Sequence, residues 1–264
     1  MGANPAAGTR IILIIEYEGT NYHGSQWQAN APTVQGEIEK ALEMLTGEKI
    51  RIKMASRTDA GVHALGQVVG FTADTALPLK SFVDGMNHYL PPDIAVKKAH
   101  RAGDSFDVRR RAVSREYRYY ILNSPTRSPR RRAFSCRVVG HLDTEAMNRA
   151  CRALIGRHDF ASFVSSPDAI GTGRKRTVRD VLKAEIMQDG DLIVFEMVAS
   201  SFLPHQVRNT VGSLIKVGQG RMTVDEFKEM VDAATPGLAG PTAPPEGLCL
   251  VRVNYPVNFE GDAS

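Results

Sequence analysis

The sequence predicts an α+β fold of two similar halves, each a mainly antiparallel sheet with helices against it. Three observations predict it. Strand-sized apolar segments alternate with helix-sized amphipathic ones. A similar order of elements comes twice, on either side of a division near 103–113. Turn and breaker residues punctuate both series, and helices laid on one face of an antiparallel sheet satisfy such a pattern. No strict sequence repeat relates the halves.

In chain order, RIILIIEYEG (10–19) is Ile-rich, ends at Gly19, and predicts a buried strand. TVQGEIEKALEMLTG (33–47) places Val34, Ile38, Leu42 and Leu45 at helical spacing, with Thr33 as N-cap and Gly47 just past the end. VVGFT (68–72) is strand-like, and LKSFVDGMNHYLPPD (79–93) is a short helix stopped by Pro91-Pro92. IAVKKAHRA (94–102) closes the first series as a strand. The second opens with the strand REYRYYIL (115–122). A helix follows at 144–156, with Met147, Cys151 and Leu154 on one face and Gly156 as its stop. Residues 177–200 read as two strands joined at Asp189-Gly190. HQVRNTVGSLIKVG (205–218) is a helix turning Val207, Val211, Leu214 and Ile215 inward. TVDEFKEMVDAA (223–234) opens with the capping-box spacing of Thr223 and Glu226, and LCLVRVNY (248–255) is a last strand. The domain reading is a disordered leader at 1–9, halves at 10–108 and 109–257, and a tail at 258–264. Segments 123–135 and 164–176, rich in Ser, Pro, Gly and basic residues, read as functional loops.

Composition narrows the function. With 264 residues, 42% hydrophobic and 23% charged, the chain is ordinary globular material. No apolar run approaches the roughly 18–20 residues of a membrane span, and the start lacks a signal-peptide pattern, so a cytoplasmic protein is expected. Cys136, Cys151 and Cys249 form no C-x-x-C pair and read as small hydrophobes in a reducing compartment. Net charge is only +4, but the distribution is uneven. Between Arg101 and Arg132 bases outnumber acids about threefold, including Arg109-Arg110-Arg111 and Arg130-Arg131-Arg132, with Tyr117, Tyr119 and Tyr120 interleaved. Such a mixture suits a polyanion whose bases can stack, or a solvated basic face. P-loop, dinucleotide-binding, H-E-x-x-H and G-x-S-x-G motifs are missing from the sequence, and no cofactor is expected.

Three residues stand out for chemistry. Asp59, in SRTDAGVHALGQVVGF (56–71), sits between Arg57-Thr58 and the small turn Ala60-Gly61. A carboxylate so placed is a surface turn residue, or a base or nucleophile held rigidly. Asp59 and His63 are four apart, but Gly61 opposes the helix that a shared metal would need, so no metal site is expected. Arg208 lies on a helix with an apolar face, either as a surface residue covering the helix with its stem or partly buried; a buried guanidinium needs an acid, and Asp59 is a candidate partner that would stay ionised beside it. Tyr117 lies on a strand, sharing a face with Tyr119, and is either a core tyrosine or a stacking platform.

Together these segments resemble the TruA family of tRNA pseudouridine synthases, whose signature carries an RTDAGVHA core. IEYEGTNYHGSQWQ, GMNHYLPPDIAV, FDVRRRAVSREYRYYILN, SFLPHQVRNTVGSLIKVG and APPEGLCLVRVNYP resemble family segments in the same order. The resemblance implies isomerisation of uridine to pseudouridine at positions 38 to 40 of the tRNA anticodon stem-loop, without cofactor or metal. It implies Asp59 as catalytic nucleophile, Arg208 as its basic partner, Tyr117 stacking on the target base and Arg57 aiding base flipping. Arg109 and the basic loop with Lys175, Arg176 and Arg179 fall where family members touch tRNA. It further implies sheets joined into one central sheet, helices on the outer face, a catalytic cleft between the halves, and a homodimer. Two departures stand out. Ser25 replaces a usual aromatic, which is expected to loosen local packing unless Trp27 fills the gap, and Ser56 replaces a frequent Gly. A non-catalytic tRNA-binding or RNA-chaperone protein is the alternative, and a metal-dependent hydrolase using Asp59 and His63 is a third reading.

Overall fold

The computed structural model of the chain describes residues 8–164 and 177–256. It resolves into two compact units, one taking Met1–Val113 with Leu250–Ser264 and the other Ser114–Cys249. The division thus falls five residues after the expected 108/109 boundary, and the chain's end belongs to the first unit. The reason is backbone pairing. The last strand lies beside a first-unit strand, and Val113 N–H donates to Asn254 O at 2.8 Å.

The first unit is an α+β layer. Strands β1 (Thr9–Tyr17), β2 (Lys53–Met54), β3 (His63–Ala73) and β4 (Ile94–Ala102) carry helices α1 (Val34–Thr46) and α2 (Leu79–Tyr89). β1 is central, antiparallel to β3 on one side and β4 on the other. β3 begins at His63, earlier than the apolar run alone suggested, because its pairing with β1 continues to Tyr17↔Ala64. Ile11 and Phe71 are register partners, and Phe71 meets Phe82 of α2 at 5.8 Å between ring centroids. Burying Phe82 completely contributes about 1.5–3 kcal/mol. The opposite face of β1 is covered as well, by the segment at Val108: a Cβ on Gly70 would stand 2.7 Å from the Val108 side chain. Apolar residues therefore occupy consecutive positions of β1 rather than alternating ones. α1 starts and stops as its residues dictate. Thr33 accepts from Gly36 N–H, and Gly47 takes the left-handed conformation at φ 75°.

The second unit repeats the class with different details. β5 (Ser114–Asn123), β6 (Cys136–Val138), β7 (Gly156–Asp159), β8 (Val178–Asp189) and β9 (Leu192–Ala199) include the antiparallel order β5–β9–β8–β7, with β6 parallel on β5. α3 (Thr144–Cys151), α4 (Gln206–Gly218) and α5 (Val224–Ala233) pack with one another, α3 also against β8. Tyr117 pairs with Met197, Tyr119 with Phe195 and Ile121 with Ile193, and this face is buried core. The alternate face carries Arg118, whose guanidinium bonds Glu196 at 2.7 Å. β10 (Leu248–Asn254) spans the division between the units.

Two local expectations shift. The helix expected over 144–156 is α-helical only to Cys151, then tightens into a 3-10 turn over Arg152–Leu154, and Gly156 (φ 108°) opens β7 instead of ending a helix. Between β8 and β9, Asp189 pairs with Leu192, so the two loop residues are Gly190 (φ 59°) and Asp191. The capping box at Thr223 and Glu226 forms as its spacing predicts. All three cysteines are buried and free of disulfides, and burial pushes the Cys151 thiol up to about 12. No helix among the described residues is long and apolar enough to cross a membrane.

Candidate active site

Asp59 lies in the first unit, in the loop leading into β3. Its carbonyl accepts from Val62 N–H at 3.2 Å, closing a turn in which Gly61 takes φ 78°. A side chain at position 61 would be strained there. The loop rests on a second loop that follows β1. Gly61 N–H donates to Tyr22 O at 3.2 Å, and Gly19 N–H donates to His63 Nδ1 at 3.0 Å. The two backbones approach so closely that a Cβ on Gly19 would stand 2.0 Å from Val62 O, and one on Gly24 (φ 95°) 2.9 Å from Thr58 O. Arg57 is exposed, Thr58 buried and Asp59 half-buried. His63 is buried with Nδ1 accepting the Gly19 amide, so this nitrogen is not aimed beside Asp59 as a metal ligand. Among the described residues no group of three or more His, Cys, Asp or Glu stands ready to hold a metal ion.

Ser25 does not loosen this region, contrary to the expectation. It is fully buried, its Oγ accepts from Thr58 N–H at 2.9 Å, and its own N–H donates to Thr58 O at 3.0 Å. Trp27 fills no gap there. It is 46% exposed, with the Arg51 guanidinium 5.0 Å over its ring.

Arg208 and Tyr117 lie in the second unit. Arg208 is on the first turn of α4, half-buried, its Nε donating to Ala243 O at 2.7 Å while Ala243 N–H returns a bond to Arg208 O at 3.1 Å. α4 is not simply amphipathic. Ile215 is only half-buried, whereas Asn209, Thr210 and Ser213 are buried. Their polar atoms are satisfied: Asn209 Nδ2 donates to Phe163 O (2.7 Å), Thr242 Oγ1 donates to Asn209 Oδ1 (2.6 Å), and Gly240 N–H donates to Ser213 Oγ (3.2 Å). Gly212 lets the 240–243 segment lie directly on the helix, since a Cβ there would stand 1.7 Å from Pro241 O.

Tyr117 is 5% exposed and meets the Phe202 ring edge-on at 5.0 Å. Phe202 lies in the segment entering α4, the helix that carries Arg208 on its first turn. Neighbouring Tyr119 donates its hydroxyl to Pro244 O at 2.8 Å, one residue from the Arg208 anchor. Burial holds its phenol far above the ordinary tyrosine range, with Arg208 pulling weakly the other way.

The residues expected to touch RNA are dispersed. Arg109 is exposed on a turn that Asp107 organises, accepting Arg109 N–H at 2.9 Å and Arg110 N–H at 3.1 Å. The Arg110 amide bond, with help from Lys53, holds the Asp107 carboxyl below its ordinary range. Arg179 is half-buried on β8, and burial depresses its pKa. Lys175 and Arg176 lie outside the described residues. Sequence reasoning passed over Phe202, Tyr17 and the bonding role of Ser25. The glycines of EGTNYHGS were the available signal for a close backbone approach.

Comparison with known proteins fits these parts into one family. A family described as tRNA pseudouridine synthase matches residues 13–109 and 150–256. A tRNA pseudouridine synthase A of Geobacter sulfurreducens is 44% identical over 93% of this chain and 99% of its own length. One from Myxococcus xanthus is 42% identical over 93% and 92%. Among solved structures, an archaeal box H/ACA sRNP Nop10-Cbf5 complex aligns at 11% identity over 78% of this chain and 44% of that one, with a TM-score of 0.36, too low to carry an argument. The relatives' length and identity do carry one: this chain belongs to the tRNA pseudouridine synthase family, whose members are isomerases acting on tRNA.

Proposed function

We propose that this enzyme converts uridine to pseudouridine at positions 38, 39 and 40 of the tRNA anticodon stem-loop, with Asp59 as the nucleophile. The reaction conserves composition. The C1′–N1 bond breaks, the uracil turns, a C1′–C5 bond forms, C5 loses its proton and N1 gains one. The observation that carries the reading is the setting of Asp59. A carboxylate on a loop whose backbone is bonded at Thr58, Gly61 and Val62 is held before substrate arrives, as covalent catalysis requires. In this reading Arg208 is the basic partner of Asp59 and Tyr117 offers its ring to the flipped base. Whether Asp59 attacks the ring or the sugar carbon, the same fixed carboxylate serves.

A base within a stem is extruded at a cost of a few kcal/mol, and phosphate contacts repay it. Arg57 is assigned to flipping, and Arg109, Lys175, Arg176 and Arg179 to the tRNA backbone. The loop between β5 and β6 adds Arg127, Arg130 and Arg132, exposed and held by no ion pair among the described residues, while Arg131 is paired with Asp191 at 2.9 Å. A homodimer in the cytoplasm completes the proposal, by family resemblance.

Mapping tests the positional claim. Transcripts with uridine at 38, 39 or 40 alone should be modified at that position, and a transcript with cytidine at all three should not be. Modification elsewhere in the cytidine transcript would contradict it. For binding, replacing Arg109 with Ala should lower the dependence of log affinity on log salt by about one unit. An unchanged slope removes Arg109 from the footprint.

A further inference from the structure

We infer that Ser25 and Tyr17 form a clamp on Thr58 that positions Asp59 for attack. The inference rests on Asp59 being the nucleophile. Thr58 is the residue immediately before Asp59, and three of its polar groups are held by two residues, Ser25 and Tyr17. Its N–H donates to Ser25 Oγ (2.9 Å), its carbonyl accepts from Ser25 N–H (3.0 Å), and its Oγ1 shares a hydrogen bond with Tyr17 OH (2.8 Å). All three residues are buried, Ser25 completely. A buried amide deprived of its acceptor seeks another, so the loop would shift or admit water once Ser25 Oγ is removed. The clamp is itself anchored. Gln35 N–H on the first turn of α1 donates to Ser25 O at 3.0 Å, and Tyr17 is the last residue of the central strand β1. Thr58 is thereby tied to a strand end and a helix start, two rigid elements on which a reacting group is placed more precisely than on a free loop.

Neither residue touches substrate in this account; both act through Thr58 on where the Asp59 carboxylate stands. Displacement of a reacting group by about 1 Å costs on the order of 100-fold in rate. Single-turnover rate and tRNA affinity should therefore separate. Ser25→Ala should lower the saturating rate constant between roughly 10- and 100-fold while the Kd for tRNA stays within about twofold. Tyr17→Phe, which deletes one hydroxyl, should lower the rate by a smaller factor, again without loss of affinity. The double variant should lose less than the product of the two factors, because both act on one residue. Thr223→Ala is the structural control. It removes the α5 cap bond to Glu226 N–H (3.1 Å), which shares nothing with the clamp, and should lower the melting temperature with the rate constant kept. Rates within twofold of wild type in both clamp variants would overturn the inference, as would a loss confined to affinity. If Ser25→Ala does not fold, Tyr17→Phe decides alone: a normal rate overturns the clamp. Turnover by Asp59→Ala would instead show that the underlying reading has failed, whatever the clamp variants do.

Discussion

The loop that carries Asp59 and the helix that carries Arg208 are held by different means. Asp59's loop is held by close backbone approach together with side chains clamped on Thr58: small residues let a second loop come within hydrogen-bonding reach, and Gly19 stands where a Cβ would lie 2.0 Å from Val62 O. Arg208's helix is held mainly through buried polar side chains, with Asn209, Thr210 and Ser213 bonding to segments distant in the chain or back to the helix itself. The first device fixes a short stretch tightly at low side-chain entropy. The second fixes a whole helix, at the risk that any unsatisfied partner becomes costly. Under the proposed roles, a nucleophile and its basic partner need different tolerances. A reacting atom must be placed within a fraction of an ångström, whereas a guanidinium acts across a wider range.

Substitutions can break each side of this contrast. The largest effect is expected at the glycines. Gly19→Ala should displace the Asp59 loop and cost on the order of 100-fold in turnover with most of the fold kept. Gly212→Ala should instead lower stability, by about 1–3 kcal/mol or more, since its Cβ would stand 1.7 Å from Pro241 O. Thermal unfolding beside single-turnover rates distinguishes them, and equal patterns in the two variants would erase the contrast. Asn209→Ala should follow with a loss of about 1–3 kcal/mol, because it strands the Phe163 carbonyl and the Thr242 hydroxyl. Urea unfolding measures it.

The smallest effect concerns the charged cluster of Arg118, Lys183 and Glu196. Burial of Glu196 opposes its ionisation, but bonds from Lys183 and Arg118 outweigh it and hold the carboxyl below the usual range. A depressed carboxyl pKa contributes stability above the unfolded-state value, near 4.5, that is lost as pH falls through the folded-state value. Glu196→Gln should cost about 1 kcal/mol at neutral pH, modest because Arg118 and Lys183 are part exposed. The gap to wild type should close below about pH 4.5; a gap that widens on acidification contradicts the assigned shift.

Much of this was legible before any coordinates. Thr33, Gly47, Pro91 and the Thr223–Glu226 box mark helix ends through local chemistry, and the structure follows them. Alternation along REYRYYIL placed Tyr117 and Tyr119 on a common face, which proved to be the buried one. What escaped was tertiary. An apolar stripe on 205–218 was visible, but not the polar residues buried between α4 and the 235–243 segment, because their partners lie 27 to 46 residues away. Ser25 looked like a lost aromatic because its partner, Thr58, is 33 positions on. The last strand's return to the first unit had no sequence signal, since its apolar pattern suits either sheet. Sequence singled out Asp59, and the loops that fix it became apparent only through contact.

The most direct test is tritium release from C5-labelled uridine in tRNA transcripts, comparing wild type with Asp59→Ala at matched tRNA occupancy. A C1′–C5 bond cannot form without loss of the C5 hydrogen to solvent. The account predicts release by the wild type without added metal, none by Asp59→Ala, and tRNA binding that is kept or slightly tightened once the acid no longer faces phosphate. Release by Asp59→Ala at the wild-type rate, or tight tRNA binding by the wild type with no release at all, would contradict it.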